Sequence, residues 1–518
     1  MAYGTRRARK PYTRKGKASV KNVYDIQEGT PETSSLVDAI AEKPSAKAMT
    51  LTENGALTRK STGDAVLNLF SLGGALRSRT PEDRVSLFSK AYREDADLAM
   101  KALFYFRDIR GGQGERDTFR IIANALARGN NTSILKNTHY IPVYGRWDDL
   151  FSFVGTPFEK DAFSLLKMQL DNDIKVFNEK EKGMSLLAKW LPSENTSSAK
   201  TRALATKFRT FLGATPREYR TTLADLRGYL KVVERAMSSG NWNGIDYEHI
   251  PSRASMIYRK AFGRHDPDGY GSYIKAVEKG EKTIHAATLY PYDLVEKVLN
   301  GEGDATLDAQ WKALPDYTSG GNALVVADVS GSMEGRPLAS SVGLALYFAE
   351  RNHGIFHNYF MTFTGVPQLV EVVGRTLTEK IGNISSAHWE QNTNVQAVFD
   401  LILSKAVKGG IPEEDMPRKI FIISDMEFDA ADHGNKRTNF DAIKAKYKAS
   451  GYEMPTLIFW NVYARSNQSP VKFDERGVML VSGQSPSIFK SVMESKVVTP
   501  YDLMLEVLNG ERYEQITA

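Results

Sequence analysis

The sequence predicts a multidomain α + α/β protein: a long helical part followed by a doubly wound α/β domain. Two observations carry this prediction. Apolar runs at 324–327, 358–363, 420–423, 457–462 and 478–481 alternate with helix-like stretches at 337–350, 394–408, 440–450 and 486–494. That alternation belongs to a largely parallel sheet with helices on both faces, and the unbroken apolar character of the runs suits strands buried on both sides. From about 62 to 300, by contrast, β-branched alternation is nearly absent and amphipathic helical patterns follow one another.

The chain is 518 residues long, enough for two or three domains, and its 42% hydrophobic and 25% charged content is that of an ordinary globular protein. Residues 1–50 read as a basic, disordered arm. Its first 21 positions carry eight basic side chains, including Arg6, Arg7, Arg9 and Lys10, and no acid. Such an arm contacts nucleic acid or serves as a solubilising tail. Residues 1–319 hold 49 basic and 39 acidic groups, whereas 320–518 hold 19 and 23. Most of the N-terminal excess lies in the arm, so a nucleic-acid surface on the helical body has to be a local patch.

Within 51–319, Pro81-Glu82-Asp83 with Val85, Leu87 and Phe88 opens one helix. Further helices are expected at 97–106, 115–128, 160–177, 201–212, 216–238 and 291–299. Serial helices with short polar connections predict a helical-repeat, HEAT-like solenoid, although no fixed period recurs. Gly301-Glu302-Gly303 and the stretch 315–321 mark the boundary with 320–518.

The run at 324–327 ends on Asp328-Val329-Ser330-Gly331-Ser332-Met333, just ahead of the helix at 337–350. A carboxylate and two hydroxyls thus gather at the carboxyl end of a strand, where open α/β sheets bind ligands. Oxygen ligands of this kind suit a hard divalent cation, Mg²⁺ or Mn²⁺. Thr393 precedes the next helix, and Asp425 follows the run at 420–424. Glu427 and Asp429 read as solvent-facing loop acids, with tuning of a metal as the alternative.

This spacing resembles the metal-ion-dependent adhesion site of von Willebrand factor A domains. The resemblance implies direct contact of the Ser330, Ser332 and Thr393 hydroxyls with the metal. It also implies that Asp328 and Asp425 act through waters, and that one coordination position stays open for a partner's acidic group. A helical module ahead of such a domain is the layout of the Ro autoantigen family, whose module is called TROVE. Phe104-Tyr105-Phe106-Arg107-Asp108-Ile109-Arg110-Gly111-Gly112-Gln113-Gly114-Glu115-Arg116 resembles that family's Arg-Asp-Ile-Arg-Gly-Gly-x-Gly-Glu-Arg turn. Four stretches resemble a related group from microbes, their viruses and some eukaryotes: Thr52-Glu53-Asn54-Gly55-Ala56-Leu57, Lys189-Trp190-Leu191-Pro192-Ser193-Glu194-Asn195, Tyr290-Pro291-Tyr292-Asp293-Leu294 and Ser424-Asp425-Met426-Glu427-Phe428-Asp429. The resemblance runs from about 50 to 510. It implies a TROVE-like ring or near-ring over 51–319 and a von Willebrand factor A-like domain over 320–518. It further implies that structured noncoding RNA binds an outer basic surface, that single-stranded RNA ends enter a central hole, and that the protein scaffolds RNA with factors such as nucleases.

The helical motifs carry two readings each. The glycine-rich turn either turns N–H groups toward a phosphate, flanked by Arg107, Arg110 and Arg116, or is a tight helix–helix turn with its arginines paired to neighbouring acids. No strand precedes it and no Gly-Lys-Ser/Thr follows, so it is neither a P-loop nor a dinucleotide fingerprint. Trp147, Trp190 and Trp242 either stack on bases or pack helices. Lys189, Lys200, Arg202, Lys207 and Arg209 form either a phosphate-binding cluster or a solvated face.

The chain has no cysteine, which excludes disulfides and thiolate chemistry. It has no apolar run long enough for a membrane span and no apolar core behind its basic start, so a cytoplasmic protein without a secretory signal is expected. The nucleophile elbow, the His-Glu-x-x-His zinc motif and the Walker A loop are all missing, and the eight histidines are scattered. With the resemblance, the expectation is a non-enzymatic RNA-binding scaffold with a divalent-metal site for an acidic protein partner or nuclease. The alternative is a protein–protein scaffold using the metal site without RNA.

Overall fold

Six strands set the C-terminal architecture in the computed structural model, which describes residues 48–318, 322–362, 366–385, 393–430, 438–496 and 499–518. They are β1 (Ala323–Ala327), β2 (Tyr359–Thr362), β3 (Leu369–Glu371), β4 (Lys419–Ser424), β5 (Thr456–Asn461) and β6 (Val478–Ser482). Their order is β3-β2-β1-β4-β5-β6, and all pairs are parallel except β2 with β3. This is the doubly wound order, in which the winding reverses between β1 and β4. Ala323 stands opposite Lys419 and Ala327 opposite Ile423, so the two central strands end level. The Asp328 N–H continues the ladder, donating to the Ile423 carbonyl at 2.9 Å. The two carboxylate-bearing loops therefore leave the sheet side by side.

The helical part runs ahead of the sheet. Its principal helices are α1 (Ala65–Gly73), α2 (Pro81–Glu94), α3 (Ala96–Arg107), α4 (Arg116–Arg128), α5 (Glu159–Glu179), α6 (Ala199–Leu212), α7 (Pro216–Tyr229), α8 (Ser252–His265), α9 (Pro267–Glu278), α10 (Pro291–Leu299) and α11 (Ala305–Lys312). Short helical turns link them. The helix expected at 216–238 is in fact broken after Tyr229. Lys231 takes a left-handed φ of 49°; its N–H bonds to the Gly228 carbonyl and that of Val232 to the Arg227 carbonyl. That is a Schellman stop made without glycine, so the sequence carried no stop signal. α1, α8, α9 and α11 were also absent from the expected helices. The α8 and α9 sequences carry three glycine or serine residues each with scattered charge, which blurs a 3.6-residue period.

The α/β part adds α12 (Arg336–Arg351), α13 (Leu377–Ser385), α14 (Val395–Gly409), α15 (Asn439–Ser450), α16 (Ser487–Glu494) and α17 (Pro500–Leu508). Phe489 of α16 packs 4.9 Å from Phe348 of α12, 5.0 Å from Phe421 of β4 and 4.7 Å from Trp460 of β5. That aromatic cluster seals α12 and α16 against one face of the sheet.

One apolar core runs without interruption from α1–α7 into the sheet, while a second, smaller cluster lies among α8, α9 and α11. Residues from Thr50 onward form a single compact unit. The helical part covers the β6 edge: Ser482 Oγ donates to the Phe70 carbonyl and accepts from the Gly74 N–H at 3.0 Å. α10 lies on α12 so closely that a Cβ on Gly343 would stand 3.1 Å from Pro291 and Tyr292 backbone atoms. The basic arm expected at 1–50, including Arg6, Arg7, Arg9 and Lys10, lies outside the described residues up to position 47. Among the described residues, no helix is long and apolar enough to cross a membrane.

Candidate metal centre

Four of the five expected metal residues meet at the carboxyl ends of β1 and β4. Asp328 is fully buried, and its Oδ1 accepts from the Ser330 N–H at 2.9 Å. Its Oδ2 accepts from Ser424 Oγ at 2.6 Å. The Ser330 and Ser332 hydroxyls lie 3.1 Å apart, and Ser332 Oγ donates to Asp425 Oδ2 at 2.9 Å. Asp425 Oδ1 accepts from the Glu427 N–H at 3.1 Å. Burial and the neighbouring Asp425 charge push the Asp328 carboxyl up to about 6. Immediately after Asp425, Met426 holds a left-handed φ of 68°, a conformation that costs a side-chain-bearing residue roughly 1–2 kcal/mol. The turn is strained where it aims the carboxylate, as functional loops are.

Thr393 stands one step away, reached through the loop after β4. Its Oγ1 lies 3.0 Å from the Glu427 carbonyl and 3.2 Å from Asp429 Oδ1, and accepts from Asn54 Nδ2 at 2.9 Å. The segment 386–392 that leads into Thr393 lies outside the described residues.

The donor set fits a hard divalent cation. Two close buried carboxylates, of which Arg465 pairs with Asp425 alone, gather two serine hydroxyls beside them, and oxygen ligands of this kind match Mg²⁺ or Mn²⁺. Ser330, Ser332, Asp328 and Asp425 would hold such an ion, with Thr393 the fifth candidate. Among the described residues no group of three His, Asp or Glu side chains forms a metal cluster, so hydroxyls have to complete any set here.

The sequence did not point to the N-terminal wall of this site. Thr52 Oγ1 donates to the Phe428 carbonyl at 2.6 Å, the Glu53 N–H to Glu427 Oε2 at 2.7 Å, and Asn54 Nδ2 to the Glu427 carbonyl at 2.6 Å. Glu427, expected in solvent, is 2% exposed because the Thr52–Ala56 turn covers it. Asp429, half-buried, accepts from the Thr393 N–H at 3.1 Å. A third unforeseen residue is Arg465, after β5, whose Nη2 lies 2.7 Å from Asp425 Oδ2 and Nη1 2.6 Å from Glu53 Oε2. Burial works against its charge, yet Asp425, Glu53 and Glu427 hold the guanidinium above its ordinary pKa.

The glycine-rich turn is structural. The N–H groups of Ile109, Gln113, Gly114 and Glu115 bond the carbonyls of Tyr144, Tyr105, Asp108 and Phe106, and that of Arg110 bonds Asp108 Oδ1. These five donors are spent within the protein. A Cβ on Gly112 would stand 2.0 Å from the Tyr105 carbonyl oxygen, and one on Gly114 2.1 Å from the Tyr290 hydroxyl, so the glycines serve close packing. Arg107 is a correction to the expected RNA contacts: it is 2% exposed and bonds Asp149 at 2.7 Å, because the side chain points into the core from the last turn of α3.

The other expected cations are exposed, and four of them are engaged. Arg110 Nη1 reaches the Val143 carbonyl, Arg116 lies 3.4 Å from Asp117, Arg202 donates to the carbonyls of Thr196 and Ser197, and Lys207 bonds Glu159 at 2.6 Å. Lys200 is exposed at the start of α6. Arg209 pairs with Glu194. Lys189 and the Arg146 guanidinium both lie over the Trp190 ring, Arg146 at 3.9 Å, while Trp147 packs against the main core and Trp242 stacks on His265 at 4.3 Å.

Residues 52–155 and 160–318 match a family described as a domain of unknown function, DUF2828, and residues 322–515 match a second, DUF7788. Over 500 residues the chain is 30% identical to the uncharacterized protein L728 of Acanthamoeba polyphaga mimivirus, covering 89% of this chain and 87% of that protein. The crystal structure of the Deinococcus radiodurans RO (RSR) protein overlays with a TM-score of 0.45 at 15% identity, over 84% of this chain and all of that one.

Proposed function

The chain belongs to the DUF2828 family, and on that premise we propose that it is an RNA-binding scaffold whose α/β part carries a divalent-cation adhesion site. The observation that carries the cation site is the convergence of Asp328, Ser330, Ser332 and Asp425 at the reversal point of the sheet. In an open α/β sheet this crevice is where ligands bind. A strand order ending on one antiparallel edge supports the reading of 320–518 as a von Willebrand factor A-like domain. When bound, Mg²⁺ or Mn²⁺ would supply a positive centre with an open position for an acidic group of a partner. Ser330 and Ser332 would orient toward it, with Asp328 and Asp425 balancing its charge.

RNA binding rests on the TROVE-like motif and on the cations left at the surface, Arg110, Arg116, Lys200, Arg202 and Lys207, together with the arm. Structured noncoding RNA with a single-stranded end is the proposed ligand, because A-form duplex hides its bases from side chains. The alternative, a protein scaffold without RNA, draws on the internal bonds already made by Arg202 and Lys207.

Two measurements test the proposal. Calorimetric titration of MnCl₂ into chelator-treated protein should show binding that Asp328→Ala abolishes; binding of equal affinity in both removes the assignment to Asp328. Filter binding of a tailed RNA hairpin across a salt series tests the RNA role. Deleting residues 1–21 should shift the log–log slope by about three to four if five phosphates are contacted, at ~0.7 per contact. Absence of any RNA binding leaves the protein-scaffold reading.

A further inference from the structure

The crevice at Asp425 already holds a cation of the protein's own. Asp425 Oδ2 accepts from both Ser332 Oγ and Arg465 Nη2, which uses both lone pairs of that oxygen. Arg465 is held in place from three sides. Glu53 accepts from its other terminal nitrogen at 2.6 Å. The Ala464 N–H beside it donates to the Ala75 carbonyl at 3.1 Å, and Arg79 Nε donates to the Ala464 carbonyl at 2.7 Å. The helical part thus presses a guanidinium onto the carboxylate that the divalent ion needs.

We infer that Arg465 is a tethered competitor for the divalent cation at Asp425, held there by Glu53, and that it sets the affinity of the site. The inference rests on the cation reading above. Two positive centres within bonding reach of one carboxylate repel each other, so entry of the ion releases the Arg465 fork. The release also frees Glu53, 59% exposed at its side chain. Affinity for the ion is therefore coupled to the Thr52–Ala56 turn, the same turn that wedges against Glu427 and Thr393.

The test is Mn²⁺ titration by calorimetry on chelator-treated full-length protein, comparing wild type with Arg465→Gln and Glu53→Gln. Arg465→Gln is expected to bind about tenfold tighter or more, since a charge-assisted hydrogen bond no longer has to be broken. Glu53→Gln, at an exposed position that leaves the fold intact, is expected to tighten binding by a smaller factor. In the wild type, hydrogen exchange of residues 463–468 should accelerate as Mn²⁺ is added. Ion binding by Arg465→Gln alone, with none in wild type, supports the inference in its strongest form. Unchanged affinity in both variants overturns it while leaving the cation site standing. Weaker binding in Arg465→Gln also overturns it, making Arg465 a support of the site. No binding by any of the three proteins overturns the cation site and this inference together.

Discussion

Asp328 carries a charge that the fold itself disfavours. Its folded-state carboxyl titrates near 6, against an ordinary value of 3.8. A raised acid pKa means that the fold disfavours the charged form. The cation-free protein is therefore most stable below about pH 4 as far as this group is concerned, and loses stability as pH rises through 6. Asn at this position can keep the acceptor for the Ser330 N–H. Asp328→Asn is expected to stabilise the protein in chelator at pH 7, by up to about 3 kcal/mol at ~1.4 kcal/mol per unit, and so to raise its melting temperature, while losing Mn²⁺ binding. A lower melting temperature than wild type at pH 7, followed by differential scanning calorimetry, contradicts this account. Under the proposed function, a bound cation would offset this charge in the native protein.

At the element scale, two helix ends show how local chemistry stops a helix. α7 ends on Lys231 in the left-handed region without the glycine that usually fills that place. Lys231→Gly should therefore stabilise the protein by about 1 kcal/mol; a urea titration with an unchanged or lower midpoint counts against it. α16 ends on a different device: Lys419 Nζ, from the neighbouring β4, donates to the carbonyls of Val492 and Met493. The resemblance motifs also resolve as local knots. The Arg227 fork bonds the carbonyls of Ala188 and Leu191 and the Ser193 hydroxyl, and Tyr219 donates to the Pro192 carbonyl, so the Lys189–Asn195 stretch is held by α7.

Over the whole molecule, the C-terminal segment closes back on the helical part. Asp108, at the end of α3, accepts from Arg512 Nε and Nη2 and, at 2.9 Å, from the Tyr513 hydroxyl. Asn137 Nδ2 donates to the Thr517 carbonyl, and Ile516 is fully buried. Asp108 is buried but Arg512 is 40% exposed at its side chain, so losing the carboxylate costs about 1–3 kcal/mol, the scale of hydrogen bonds to a charged group. Asp108→Ala is expected to speed hydrogen exchange in residues 511–518 and to lower the cooperative melting temperature, since these contacts join both parts. Faster exchange in 511–518 with no change in melting temperature shows instead that the segment is only appended.

The sequence by itself determined the elements whose signals are local. Continuous apolar runs announced five of the six strands, because a strand buried on both faces has no polar alternation. Asp328, Ser330, Ser332 and Asp425 were legible because they sit within a few residues of those strand ends, and level strand ends bring them together. β3 was not legible: three residues, one buried between two exposed, are too few to show a period. Only the tertiary structure decided what long-range packing decides. The N–H groups of the glycine-rich turn were claimed by α3 and by Tyr144, Arg107 was turned inward to Asp149, and Glu427 was covered by the Thr52–Ala56 turn. Arg465 reached Asp425 from 40 residues away, and Glu53 reached Arg465 from 412. No local pattern encodes such contacts, because they depend on how segments far apart in the chain pack together and not on the residues that flank them.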